Sequence, residues 1–182
     1  MSEAVADLLQ TVEQRRQTVS AALSAKHRSA MGQFFTPCGP AGFLAGLLDL
    51  PESGVFRVLD PGAGVGSLSA AVVARVVEER PDLALEITAL ELDAALIPHL
   101  VATLEACAAV AKRHGCRVSF DARQANFVDY ATGWLFEEPT RFDAVIANPP
   151  YKKVSTSSPA RVAAETRGLR ASNLYTLSLI HI

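Results

Sequence analysis

The sequence is poor in the residues that cross-link a chain or bind a metal. It has only three cysteines, Cys38, Cys107 and Cys116, which form no CxxC pair and no cluster with histidine. A zinc site or a disulfide framework needs such spacing. We therefore expect free thiols in a reducing compartment and no metal.

The sequence also lacks the segments that direct a protein into or across a membrane. No apolar run reaches the ~18 residues that a membrane helix needs. The first residues include Glu3 and Asp7, where a signal peptide would carry positive charge. We therefore expect a cytoplasmic protein with no membrane partner.

The overall charge has no strong sign either. A net charge of −2 argues against a small nucleic-acid binder that acts by bulk charge alone. Basic residues do gather near the C-terminus, opposed only by Glu165. They are Lys152, Lys153, Arg161, Arg167 and Arg170. This group is either a local basic face or an ordinary solvated surface.

What the sequence does contain is a globular pattern in which strands alternate with helices. Hydrophobic residues make up 49% and charged residues 20% of the 182 residues, enough for one domain with a core. Apolar runs predict strands over 55–60, 85–90, 116–120 and 142–146. Helical spacing and breakers predict helices over 2–30, 40–50, 68–80, 94–114 and 160–167, with a short helix or loop over 129–138. This order predicts an α/β fold with a doubly wound, mainly parallel sheet, and the abrupt apolar ending leads us to expect an incomplete C-terminus.

A glycine-rich turn follows the first predicted strand directly. The segment Asp60-Pro61-Gly62-Ala63-Gly64-Val65-Gly66-Ser67 joins that strand to a helix, which is the nucleotide-binding arrangement. Its glycines allow the backbone to approach a ligand where a Cβ would clash. The dinucleotide fingerprint places its third glycine where Ser67 stands, so a pyrophosphate cofactor is not especially favoured.

Polar residues end the second and the fourth predicted strands. Glu91 stands at the tip of the second, where a carboxylate suits ribose hydroxyls, although a surface charge is the plainer alternative. The fourth strand leads into Asn148-Pro149-Pro150-Tyr151. The two prolines fix their own φ angles and push Asn148 into an extended conformation. This rigid corner lies at the sheet edge where ligands bind in open α/β folds.

Four motifs together resemble those of one enzyme family. They are Gly32-Gln33-Phe34-Phe35-Thr36-Pro37, the glycine turn, Glu91-Leu92-Asp93 and Asn148-Pro149-Pro150-Tyr151, in that order. The chain resembles, over about residues 25–177, the amino-terminal catalytic part of bacterial adenine-specific (N6) DNA methyltransferases of restriction-modification type. Each motif is common alone, but all four in order are specific. The resemblance implies a Rossmann-like, S-adenosylmethionine-dependent methyltransferase fold.

The resemblance also implies which residues perform the reaction. The catalytic residues would be Asn148, Pro149, Pro150 and Tyr151. The cofactor-binding residues would be Phe34, Thr36, Pro37, Asp60, Gly62, Gly64, Gly66, Glu91, Asn126 and Phe127. The family usually has an aspartate where Asn126 stands, so we expect somewhat weaker cofactor binding than with aspartate.

The implied organisation has two parts and a DNA partner. Residues 1–50 would form an N-terminal helical segment with a loop that closes over the cofactor, and residues 51–182 a truncated catalytic domain. Double-stranded DNA would be bound through an absent C-terminal target-recognition region, with help from the basic group. A restriction endonuclease would be a further partner, fused or separate.

Other functions stay open at this point. The same corner serves methyltransferases of RNA bases and of protein glutamine amides, because it recognises a flat NH₂ group. A non-catalytic cofactor-binding fragment is a further alternative. A dehydrogenase is a less favoured alternative, because the sequence offers no residue for hydride transfer. All four histidines lie outside the motifs.

Overall fold

Four parallel strands form the sheet in the part of the chain that the structure describes. A computed structural model describes residues 1–24, 35–127, 130 and 141–148. The strands are β1 (Val55–Pro61), β2 (Ala84–Glu91), β3 (Arg117–Gln124) and β4 (Ala144–Val145). The helices are α1 (Glu3–Ala22), α2 (Cys38–Gly46), α3 (Ser67–Glu79) and α4 (Ile97–Arg113).

The strand order is β3-β2-β1-β4, so the chain reverses direction across the sheet next to β1. β1 pairs with β2 along its whole length, and β2 pairs with β3 along its whole length. β4 lies on the other side of β1, where Ala144 and Val145 pair with Val58 and Leu59. The predicted parallel sheet is confirmed. In such folds the crevice beside the reversal is the usual ligand site.

The main core lies between the sheet and the helices. Phe56 and Val58 of β1 face this core, and Leu59 faces the opposite side of the sheet. α3 and α4 lie against the strands and each other, and α1 packs on both. Val5 and Val12 of α1 are fully buried in the same cluster as the strands. The N-terminal helix therefore shares its core with the sheet.

The predicted helix over 2–30 is correct at its start and wrong at its end. α1 stops at Ala22, and Leu23 takes an extended conformation with φ −76° and ψ 130°. Leu23 then packs with Val65 and Leu96 beside the glycine turn. A tertiary contact thus ends the helix earlier than its apolar periodicity suggests. Residues 25–30 lie outside the described part of the chain.

Two other helices begin at different residues from those predicted. α2 runs over Cys38–Gly46 instead of 40–50. It begins directly after Pro37, whose backbone is extended. It ends early because the backbone tightens at Leu47, whose N–H donates to the Leu44 carbonyl. α4 begins at Ile97 instead of 94, since the Asp93 carboxylate accepts from Ala95 N–H and forms a turn before the helix.

The strands at the two edges of the described sheet also differ from prediction. β3 extends to Gln124 rather than 120, because its backbone stays paired with β2 although every second side chain is exposed. β4 is two residues long rather than the predicted 142–146. Asp143 bonds to the Arg57 backbone through both its N–H and its carboxylate, so the segment still follows β1 beyond the regular ladder.

Several predictions fall on parts that the structure does not describe. The helix over 160–167 lies outside the described residues, as does nearly all of the segment 129–138, of which only Tyr130 is described. No helix among the described residues is both long enough and apolar enough to cross a membrane.

Candidate active site at the carboxyl edge of the sheet

A cleft opens at the carboxyl ends of β1 and β4. Its cavity volume is about 20 Å³, and the rest of the cleft is open to solvent. It is lined by a loop before α2, the glycine turn, the start of α3 and the end of β4. The lining residues are Phe35, Thr36, Gly62, Ala63, Gly64, Val65, Ser67, Leu68 and Asn148. The turn and the Asn148 corner, 81 or more residues apart in the sequence, therefore share one cleft.

The glycine turn has a backbone that side chains would disrupt. Gly62, Gly64 and Gly66 have φ values of +89°, +59° and +86°. A Cβ on Gly64 would lie 2.9 Å from the Phe35 ring, and one on Gly66 would lie 3.0 Å from Thr103. A Cβ on Gly62 would meet nothing within 4 Å. The turn is thus tightly packed at its second and third glycines and open at its first.

Glu91 holds the glycine turn in place. One carboxylate oxygen accepts a hydrogen bond from Gly64 N–H at 2.8 Å, and the other accepts from Asp93 N–H at 2.8 Å. Glu91 is only 5% exposed and does not line the described cleft. Burial raises its pKa, and the backbone donors partly oppose that rise. A carboxylate has about four lone-pair sites, so acceptor capacity remains beside the backbone donors Gly64, Asp93 and Leu92. A bond to ribose hydroxyls remains a prediction.

Asp60 lies beneath the glycine turn with half of its carboxylate unpaired. The residue is fully buried, and its Oδ2 accepts from the Ser69 hydroxyl at 2.6 Å. Burial raises its pKa to about 7, against the hydrogen bonds from Ser69, and nearby Glu91 adds to the rise. Asp60 Oδ1 has no partner among the described residues, and neither has the buried hydroxyl of Ser67 on the cleft wall. Buried polar atoms are nearly always paired in native proteins. The Ser67 hydroxyl, on the cleft wall, therefore fits a polar ligand, whereas Asp60 does not line the described cleft.

The Asn148 corner is tied to the loop before α2. Asn148 Nδ2 donates a hydrogen bond to Thr36 Oγ1 at 3.0 Å. Thr36 is 9% exposed, so this bond is largely shielded from water. Beside it, Phe35 packs over the glycine turn with Val65 and Leu96. The loop thus contacts both the turn and the corner.

The sequence analysis predicts Phe34 as the cofactor-binding aromatic residue of this loop, whereas in the structure it is Phe35 that lines the cleft. Phe35 lines the cleft and touches Gly64, whereas Phe34 lies outside the described residues. Thr36 lies on the cleft wall as well, and Pro37 is exposed at the start of α2. The sequence did contain a feature that pointed to Phe35. Because two adjacent aromatic residues cannot both face the same side, either Phe34 or Phe35 could have been the one at the cleft.

The other predicted site residues lie away from the described cleft or outside the described residues. Phe127 is 9% exposed and packs with Leu59 and Leu90 on the sheet face opposite the helices. Asn126, just before it, accepts a backbone bond from Tyr130 at 2.9 Å. Residues 149–151 and the basic group near the C-terminus lie outside the described residues.

The described residues contain neither a disulfide nor a metal-binding group. All three cysteines are free thiols, and burial raises the pKa of Cys38 to about 11 and of Cys107 to about 12. Over residues 1–24, 35–127, 130 and 141–148, no group of three or more His, Cys, Asp or Glu side chains could hold an ion.

Comparison with protein families and curated proteins gives a consistent result. The family model described as N-6 DNA Methylase matches residues 19–167. The chain is 35% identical over 176 residues to the type II methyltransferase M.BsuBI of Bacillus subtilis, covering 93% of this chain and 34% of that protein. It is 27% identical over 167 residues to the type II methyltransferase M.PstI of Providencia stuartii, covering 91% of this chain and 32% of that protein. The chain thus spans about a third of the length of these relatives.

Solved structures support the fold class. A class I S-adenosylmethionine-dependent methyltransferase from Listeria monocytogenes is similar with a TM-score of 0.59 at 19% identity, over 93% of this chain and 49% of that one. A type I restriction-modification methyltransferase subunit from Streptococcus thermophilus is similar with a TM-score of 0.52 at 22% identity, over 89% of this chain and 38% of that one. At these identities the likeness concerns the fold, and the predicted Rossmann-like α/β class is confirmed.

Proposed function

The chain belongs to the N-6 DNA methylase family, and from that premise we propose that its protein transfers a methyl group from S-adenosylmethionine to the N6 amine of adenine in DNA. The observation that carries this proposal is the shared cleft. Asn148, the residue expected to hold the amine, lines the same cleft as the glycine turn, which is expected to hold the methyl donor. Donor and acceptor sites must adjoin, because methyl transfer needs the nitrogen, the methyl carbon and the sulfur in line.

The residues around the glycine turn fit S-adenosylmethionine, the cofactor of this family. When bound, this cofactor supplies a methyl group made electrophilic by a positively charged sulfur. The unpaired atoms of Asp60 and Ser67 would serve its amino acid end. Glu91 would accept from the ribose hydroxyls. The open space at Gly62 would admit the ligand close to the backbone.

The remaining cofactor contacts are proposed from the motifs. Asn126 and Phe127 would meet the adenine ring of the cofactor, with the Asn126 amide oxygen as acceptor. The loop that contains Phe34, Thr36 and Pro37 would close over the cofactor from the other side. An aromatic ring near the sulfonium would add cation–π attraction.

At the acceptor corner, the Asn148 oxygen and the Pro149 carbonyl would accept hydrogen bonds from the adenine amine. That amine is a poor nucleophile, because its lone pair is delocalised into the ring. Two placed acceptors favour a pyramidal nitrogen whose lone pair points at the methyl group, which stabilises the transition state. No base is needed before attack, since the proton can leave once the nitrogen is cationic.

The target base would have to leave the DNA helix to reach this corner. The adenine amine is paired and stacked in duplex DNA, so we propose that the base is flipped out and stacked on Tyr151. Pro150 would keep the corner rigid through its fixed φ angle. The basic residues after the corner would contact phosphates, and base-specific contacts would come from elsewhere in the whole protein.

The biological setting follows from the same premise. We propose a restriction-modification methyltransferase that works in the cytoplasm beside a restriction endonuclease, fused or separate. Methylation of an RNA base or of a glutamine amide would use the same corner chemistry, and family membership favours DNA over both.

A methyl-transfer assay on the full-length protein tests the proposal. Labelled S-adenosylmethionine is offered with duplex DNA, RNA and protein, and methylation-sensitive long-read sequencing maps any product. N6-methyladenine in a fixed sequence context is the expected result. Label in RNA or in glutamine, with adenine in DNA unmodified, would overturn the proposal. The same assay on the 182-residue chain tests the fragment alternative: cofactor binding without transfer to any acceptor would support a non-catalytic fragment.

A further inference from the structure

We propose that Thr36 is a positioning residue that fixes which way round the Asn148 amide points. The proposal rests on the proposed function and concerns the hydrogen bond from Asn148 Nδ2 to Thr36 Oγ1, 3.0 Å long. The Thr36 hydroxyl would therefore act at the acceptor corner, in addition to the cofactor contact that the motif alone suggests.

Asparagine can enter a site in two orientations that have almost the same shape. Its side chain carries an accepting oxygen at one end and a donating NH₂ at the other. The adenine amine is itself a donor, so only the oxygen can hold it. An amide turned the other way would present N–H groups to N–H groups and lose the stabilising contact.

The bond to Thr36 selects the productive orientation. Oδ1 and Nδ2 lie on opposite sides of the amide carbon, so holding the nitrogen at Thr36 directs the oxygen away from it. A hydroxyl can both donate and accept, and here that of Thr36 accepts from Asn148 Nδ2.

The surroundings of Thr36 make it a firm anchor. The residue is 9% exposed, so water competes little for its hydroxyl. A β-branched side chain has few χ1 rotamers. The preceding residue, Phe35, packs against Gly64 and Val65, which holds the Thr36 backbone beside the glycine turn.

This contact joins two distant segments of the chain. Thr36 and Asn148 are separated by 112 positions in the sequence. Thr36 also lines the cleft together with the glycine turn. Thr36 therefore connects the donor side of the cleft to the acceptor amide through a side-chain hydrogen bond.

The test compares Thr36→Val, which keeps the shape and removes the hydroxyl, with Thr36→Ser, which keeps the hydroxyl. Single-turnover methyl transfer to DNA and the Kd of S-adenosylmethionine are measured on the full-length protein. We expect Thr36→Val to lower the transfer rate at saturating substrates by about 3- to 10-fold, the worth of one ordinary hydrogen bond. The cofactor Kd should stay within about twofold, because valine keeps the shape with which Thr36 closes over the cofactor and the hydroxyl is engaged with Asn148. Thr36→Ser should restore most of the rate.

Thr18→Val is the matched control. The Thr18 hydroxyl donates to the Gln14 carbonyl on the exposed surface of α1, at 2.9 Å. The same chemical change there should alter neither the rate nor the Kd. Thermal unfolding of each variant identifies any loss of folding, and Thr36→Ala serves as a second variant if valine prevents folding.

Three results would overturn the proposal. An unchanged rate in Thr36→Val would show that the hydroxyl has no such task. A higher cofactor Kd with a normal saturating rate would make Thr36 a cofactor ligand only. A transfer rate in Thr36→Ser as low as in Thr36→Val would show that the packing of the threonine methyl group, and not the hydroxyl, determines the rate. If the wild-type protein methylates no adenine, the proposed function itself is wrong. In the three results above the wild type is active and only the role of Thr36 is wrong, so the two cases are distinguished.

Discussion

The glycine turn and the Asn148 corner lie on one cleft, yet they are held in place in different ways. The turn is fixed by backbone hydrogen bonds to the Leu90 carbonyl and to the buried Glu91 carboxylate. The corner follows a strand of two residues and is linked by a side-chain bond to Thr36. The donor side thus belongs to the core, and the acceptor side depends on a distant loop. Substitutions should therefore separate into those that affect binding and folding and those that affect transfer.

The largest effect is expected at the acceptor corner. Asn148→Ala removes the acceptor for the adenine amine and should lower methyl transfer by roughly 100-fold or more, as the loss of one placed hydrogen-bonding group does in other enzymes. Cofactor affinity should stay nearly intact, because the glycine turn keeps its own bonds. Single-turnover kinetics and a cofactor titration measure the two quantities.

A surface amide provides the control for this change. Gln17 bonds only to its helix neighbour Glu13 among the contacts described, so Gln17→Ala should leave both quantities unchanged. A large loss of cofactor affinity in Asn148→Ala would contradict the separation of the two sides.

The next effect concerns Asp60 and the pH dependence of folding. Its pKa is about 7 in the folded protein against an ordinary value of 3.8. The folded state therefore binds the proton more tightly, and this residue's contribution to stability falls as pH rises between about 4 and 7. The Asp60→Asn side chain cannot titrate but still offers an oxygen to Ser69. Its loss of folding free energy between about pH 4 and 7 should therefore be smaller than that of wild type by roughly 2–4 kcal/mol.

Denaturant unfolding at pH 4.5, 6 and 7.5, without cofactor, measures the decline in both proteins. Asp82→Asn is the control, since Asp82 is exposed and paired with Arg80. Parallel stability curves for wild type and Asp60→Asn would contradict the raised pKa.

A smaller effect is expected from Gly64→Ala on the donor side. The substitution places a Cβ 2.9 Å from the Phe35 ring at a φ of +59°. It should lower the free energy of unfolding by about 1–3 kcal/mol and weaken cofactor binding, with less effect on transfer at saturation. Calorimetry and cofactor titration measure these changes.

Gly42→Ala in α2 is the matched control. A Cβ there meets nothing within 4 Å, so the helix should become more stable by about 0.5–1 kcal/mol. Equal effects of the two substitutions would show that the turn is not under the packing constraint described.

The smallest effect is expected at Asn126. Asn126→Asp restores the charge usual in the family and should strengthen cofactor binding by about fivefold, since a charged acceptor is worth roughly 1 kcal/mol more than a neutral one. Gln124→Glu, at the end of β3, adds the same charge two residues earlier and controls for long-range attraction. An unchanged or weaker affinity in Asn126→Asp would refute the assigned role.

The parts of the structure that sequence could predict are those with local causes. The glycine turn was predictable because only glycine readily adopts the positive φ values of Gly62, Gly64 and Gly66. The parallel sheet was predictable because apolar runs alternated with helical patterns.

What sequence could not predict depends on distant partners. The end of α1 at Ala22 follows from the packing of Leu23 near Val65, and the length of β3 follows from its pairing with β2. The bond between Thr36 and Asn148 joins residues 112 positions apart, which no local pattern encodes. The use of Glu91 to hold Gly64 was hidden for the same reason.

The Leu90 carbonyl accepts hydrogen bonds from both Gly62 and Ala63, each 2.8 Å long. The first residues of the turn are thereby joined to the neighbouring strand, which makes this wall of the cleft a continuation of the sheet. The opposite wall carries Phe35 and Thr36. One residue of that wall, Thr36, thus borders the proposed cofactor side of the cleft and also accepts a hydrogen bond from the amide proposed to hold the target amine.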